Sequence, residues 1–165
     1  MRLENLRQLY VHELRDLHSA KKQMLDRLPR MEQAASDEAL KSMLGEHRNT
    51  TREHVEGLKR LFQDLGEEPE GKVCRGMAGL VRECDEMMEA DADDQVKDAG
   101  LIANAQRMEH YELAGFGAVR TYARMLGDSG AEQTLQGILD HDGGMNKQLT
   151  ELAHSHVNPQ VRQPS

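Results

Sequence analysis

The sequence predicts an all-α protein: an antiparallel four-helix bundle with one long crossover that carries a short fifth helix. Three observations lead there. Aromatics make up 3% of the 165 residues, there is no Trp, and Pro occurs four times. The chain is instead built from Ala, Leu, Met, Glu, Gln, Lys and Arg, residues that favour helix over strand. Apolar residues recur at steps of three and four through long segments, the period of a helix face turned to a core. The turn-forming clusters fall between those segments, at Glu67 to Lys72 and at Gly127 to Gly130.

The length suits one domain with its own core. Residues 1–157 are expected to form the bundle, and 158–165 (NPQVRQPS) a flexible tail. With 29 acidic residues against 21 basic ones and a formal charge of -8, the chain is a poor partner for nucleic acid or for an anionic membrane surface. MRLENLRQLY is charged and lacks the apolar run of an export leader, and nowhere do about 18 apolar residues run together. Cys74 and Cys84 form no CxxC. If both lie on one helix, their ten-residue spacing is ~15 Å of rise, too far for a disulfide. Reduced thiols and a cytoplasmic setting are expected.

In chain order, Leu6, Leu9, Tyr10, Leu14, Leu17, Met24 and Leu28 trace a first helix from Leu3 to about Ala35, with Pro29 as a kink point near its end. Glu13, between Tyr10 and Leu17, reads as its one inward acid. Ser36, Asp37 and Glu38 supply an N-cap and acidic first turn for a second helix running to Gly66. On it His47, Thr51, His54 and Leu58 share a face, so two histidines a heptad apart hold core positions. For either alone, a hydrogen-bonded core or boundary histidine weighs ahead of a ligand. Cys74, Met77, Leu80, Val81, Cys84, Met87 and Met88 mark the short connecting helix, whose methionines read as packing filler.

The fourth helix, about Gln95 to Leu126, contains AQRMEHYE. Glu109 and Glu112 lie three residues apart on the face of Ile102, Ala105, Phe116 and Val119, so two acids stand where apolar residues are expected. Buried carboxylates are costly unless paired, protonated or bound to a cation. The alternative is that the stripe is mis-phased and both are solvated. The last helix, about Ala131 to His156, places Asp142 among Leu135, Ile138, Leu139, Leu149 and Leu152. Counting residues from a shared bundle end puts Glu13, His47, His54, Glu109, Glu112 and Asp142 within about two turns of one height. Carboxylates from facing helices with two imidazoles are the donor set of a dinuclear iron or manganese site. A metal-free buried polar network is the competing reading.

The chain resembles the YciE/YciF-type stress-associated ferritin-like proteins, relatives of rubrerythrin. The matching pieces are Val11 to Asp16 (VHELRD), Ser19 to Gln23 (SAKKQ), Glu46-His47 with Thr51, His54 and Val55, Gly71 to Cys74 (GKVC), Ala99 to Glu112 with AQRMEHYE, and Leu149 to Ala153 (LTELA). The resemblance implies a ferritin-like bundle, a homodimer and metal binding, with no settled reaction. Ferritin and rubrerythrin use an ExxH on the second helix and another on the last, and this chain departs from them in having no ExxH at the right place. Met145 stands three residues after Asp142, and Gly143 and Gly144 are expected to distort the last helix beside the site.

Function follows as an expectation: a ferritin-like dinuclear metalloprotein of the stress response that handles oxygen or peroxide. The alternative is a metal-free structural or interaction protein with a buried polar core. Nucleophilic catalysis has no support, since no GxSxG or phosphate-cradling glycine loop occurs.

Overall fold

The computed structural model describes residues 2–161. Its helices are α1 (Leu6–Ala34), α2 (Glu38–Leu65), α3 (Arg75–Glu89), α4 (Asp94–Met125) and α5 (Ser129–Leu152), followed by a π-helical turn at Ala153–Val157 and a short α6 (Asn158–Gln160). No strand occurs among the described residues. Of the expected tail, 158–160 extends the last helix, and 162–165 lies outside the described residues.

Local chemistry sets the ends. Asn5 caps α1 through Gln8 N–H, and Asp37 caps α2 by accepting from Ala39 and Leu40 N–H. The α2 cap is thus Asp37 and not Ser36. The backbone N–H groups of Ser36 and Asp37 donate instead to the buried Asp98 carboxylate, at 2.8 and 2.9 Å, tying the tight α1–α2 turn to α4. Gly66 ends α2 in the left-handed region at φ 67°, where a side chain would be strained.

The crossover from α2 to α4 is fastened at its start. Cys74 N–H donates to Ser19 Oγ (3.0 Å), and Gln23 Nε2 donates to the Cys74 carbonyl (3.0 Å). Gly76 is required here, because a Cβ would fall 2.5 Å from the Tyr111 ring. Both cysteines are buried and unbridged.

Short turns make α1/α2 and α4/α5 antiparallel neighbours, and α3 packs on α1 and α4. Arg7 near the start of α1 donates to the Leu65 carbonyl at the end of α2, which fixes the shared lower end assumed in the residue count. Pro29 does not end α1, and Gly143 and Gly144 lie in an unbroken α5. The distortion expected beside Asp142 falls at Ala153–Val157 instead.

The core is divided. One apolar cluster gathers Met24, Leu28, Leu44, Leu101, Met108, Met145 and Leu149. The other gathers Tyr10, Leu14, Leu17, Leu58, Phe62, Phe116, Val119, Leu135 and Ile138. On every long helix a polar residue separates the two.

Candidate metal centre

The layer between the clusters contains Lys21 from α1, His47 and Thr51 from α2, Glu109 and Glu112 from α4 and Asp142 from α5, all nearly or fully buried. Each occupies a place in its helix's apolar stripe, so burial of the flanking residues carries it into the core. Lys21 follows Leu17 by four and precedes Met24 by three. Asp142 follows Ile138 by four and precedes Met145 by three.

Glu109, Glu112 and Asp142 each offer one oxygen within 4.8 Å of the others. Lys21 Nζ stands among them, donating to Asp142 Oδ1 and Oδ2 at 2.9 Å each and lying 2.8 Å from Glu112 Oε2. The contact with Glu112 is a fully buried ion pair. Glu112 Oε1 and Glu109 Oε2 are buried without a hydrogen-bond partner, and Glu112 Oε2 meets the Lys21 ammonium. The Phe116 ring closes the site 5.6 Å from the ammonium.

His47 Nε2 lies 2.7 Å from Glu109 Oε1, and His47 Nδ1 lies 3.2 Å from His141 Nε2. His54 Nδ1 is 3.9 Å from Asp142 Oδ1, and the His54 ring stands edge-on to His141. Burial pushes Glu109 and Glu112 up to about 8; Asp142 adds to both, while Lys21 opposes. Burial and Lys21 together push His47 down to about 4 and His54 down to about 3. Burial opposes the charged form of Lys21, yet Glu112 and Asp142 outweigh it and hold the ammonium charged. One proton shared between Glu109 and His47, with His47 Nδ1–H donated on to His141, leaves Asp142 and Glu112 facing Lys21 with one net negative charge.

Five of the six residues expected from the sequence thus converge: His47, His54, Glu109, Glu112 and Asp142. Glu13 does not. It lies at the edge of the α1 stripe, 38% exposed and 3.9 Å from His12, because Leu14 takes the inward position. The sequence reading missed Lys21 and His141. The signal for Lys21 was a seven-residue gap in the α1 stripe between Leu17 and Met24, which position 21 fills.

The donors suit a hard or borderline divalent cation. Two buried carboxylate oxygens, Glu109 Oε2 and Glu112 Oε1, lack a hydrogen-bond partner, and an imidazole nitrogen lies beside them. Glu109, Glu112, Asp142 and His47 are the residues that would hold it.

Comparison with known proteins agrees with this architecture. Residues 5–162 match the family model described as domain of unknown function DUF892. Protein YciF of Escherichia coli K12 is 33% identical over 162 residues, covering 96% of each chain. The crystal structure of that stress protein superposes with a TM-score of 0.91 at 31% identity, covering 96% of this chain and 100% of that one. A ferritin-like, diiron-carboxylate protein from Bacillus anthracis Ames gives a TM-score of 0.72 at 12% identity, covering 91% and 99%, a likeness of fold alone.

Proposed function

The chain belongs to the DUF892 family, and from that premise we propose that it is a ferritin-like stress-response protein whose central carboxylate–histidine layer binds a divalent transition metal, iron or manganese. One observation carries the reading: Glu109 Oε2 and Glu112 Oε1 are buried without a donor beside Asp142 and His47. Leaving such atoms unmet costs about 1–3 kcal/mol each, more when charged, and a cation meets several at once.

A bound iron or manganese ion would supply redox-active Lewis acidity toward oxygen or peroxide. The chain's own residues set its surroundings. Glu109, Glu112 and Asp142 provide hard oxygens, and His47 provides a nitrogen whose ring is oriented by His141. Phe116 and the two apolar clusters exclude bulk water. Lys21 holds Asp142 and Glu112 through its ammonium and sets the charge of the layer. The expected homodimer and cytoplasmic setting belong to this same proposal.

Elemental analysis after expression in iron- or manganese-supplemented medium tests it. Bound metal that falls sharply in Glu109→Gln supports the reading. Negligible metal in both proteins refutes it.

Lys21 favours a second reading, a metal-free stress protein whose polar layer is satisfied internally, because the ammonium already neutralises Asp142 and Glu112. That reading expects the melting temperature to ignore both chelator and added Mn²⁺.

A further inference from the structure

Resting on the metal-binding reading, we propose that Lys21 is a built-in cation. Its ammonium occupies one of two cation positions among Glu109, Glu112, Asp142 and His47, so the centre takes one divalent ion and not the two expected from the sequence.

The first argument is position. Dinuclear sites hold their ions about 3.5–4 Å apart, with carboxylates reaching both. Lys21 Nζ sits at such a bridging point, 2.9 Å from each Asp142 oxygen and 2.8 Å from Glu112 Oε2. An ion bound to the same face of Asp142 and Glu112 would need those oxygens at about 2.0–2.2 Å and would collide with the ammonium. Nor can the ammonium withdraw easily. Lys21 is fully buried, with its stem between Leu17 and Met24 of α1 and its head at the Phe116 ring.

The second argument is asymmetry. Lys21 meets both oxygens of Asp142 and Glu112 Oε2, whereas the oxygens left without a donor are Glu109 Oε2 and Glu112 Oε1. The layer has a filled half and an unfilled half, and His47 lies on the unfilled side through its contact with Glu109.

The third argument is charge. Three carboxylates and one ammonium carry a formal charge of minus two. One divalent ion balances it. Two would leave a buried excess of plus two, which an apolar interior penalises heavily. The same arithmetic names the perturbation: Lys21→Glu changes the formal charge to minus four, the value that two divalent ions balance.

The test uses the full chain, stripped with chelator and dialysed against Mn²⁺, with bound manganese counted by elemental analysis and the spin coupling of the ions read by electron paramagnetic resonance. The expected result is one ion per wild-type chain with the six-line signal of an isolated Mn²⁺, and two ions with an exchange-coupled signal for Lys21→Glu. Two coupled ions in the wild type, or one ion in a folded Lys21→Glu protein, would overturn the inference while leaving metal binding intact. No ion in the wild type would overturn the metal-binding reading itself, and the one-ion centre with it. If Lys21→Glu fails to fold, Lys21→Met answers the same question. It should still take one ion, bound at least about tenfold more tightly because the competing charge is gone; an unchanged affinity would overturn the proposal.

Discussion

Lys21→Met in metal-free buffer isolates what the ammonium does for the fold. Met keeps most of the apolar stem packed between Leu17 and Met24, so the change falls mainly on the charge. Wild-type Lys21 makes two 2.9 Å hydrogen bonds to Asp142 and a 2.8 Å ion pair with Glu112, all with no solvent exposure. Removing one partner of a buried ion pair typically costs about 3–5 kcal/mol, because the remaining charge is stranded. For a domain of this size that is a fall of about 6–20 °C in melting temperature. The loss should shrink at acidic pH, where Glu112, pushed up to about 8 by burial, takes up a proton in place of the ammonium. Urea unfolding of wild type and variant at pH 5.5 and 7.5 measures both effects. Asp142→Asn added to Lys21→Met should restore part of the stability, since it removes the stranded charge. A single variant within about 1 kcal/mol of wild type at pH 7.5 would refute the reasoning, for it would mean that the buried carboxylates do not depend on Lys21.

Other outcomes follow from the same structure. Glu109 and Glu112, raised to about 8, bind protons more tightly folded than unfolded, so their contribution is full below about pH 4.5 and fades as pH rises toward 8. His47 and His54, lowered to about 4 and 3, contribute fully above about pH 6.5 and lose their contribution as pH falls. Metal-free protein should therefore weaken between about pH 6.5 and 8, by up to about 1.4 kcal/mol per pH unit for each proton released, and Glu109→Gln should flatten that slope in urea titrations. Gly144→Ala should stabilise by about 0.5–1 kcal/mol by thermal melting, because the residue is helical and nothing lies near its added Cβ. Gly76→Ala should destabilise by about 1–3 kcal/mol on the same assay, since its Cβ would press on the Tyr111 ring. Asp98→Ala should cost about 1–3 kcal/mol in urea unfolding by releasing the backbone N–H groups of Ser36 and Asp37.

The helices were legible because long amphipathic segments bounded by Gly, Pro and capping residues leave few alternatives. Even the crossover helix could be placed from its methionine and cysteine stripe. The site was legible only as far as periodicity reaches. Glu109, Glu112 and Asp142 interrupt apolar stripes, and an acid in a stripe is conspicuous. Glu13 was misplaced because it and Leu14 both fall between Tyr10 and Leu17, and spacing alone does not choose which neighbour turns inward. Packing chose Leu14, which is fully buried. Lys21 was overlooked for the opposite reason. A lysine stem is apolar enough to hide within a stripe, and a cation is not sought where cations are to be bound. Yet three acids aimed into one core already require positive charge from somewhere, and the chain can supply it from outside, as metal, or from its own sequence. The gap between Leu17 and Met24 is where it does so, and the number of ions the centre can hold depends on that residue as much as on the carboxylates.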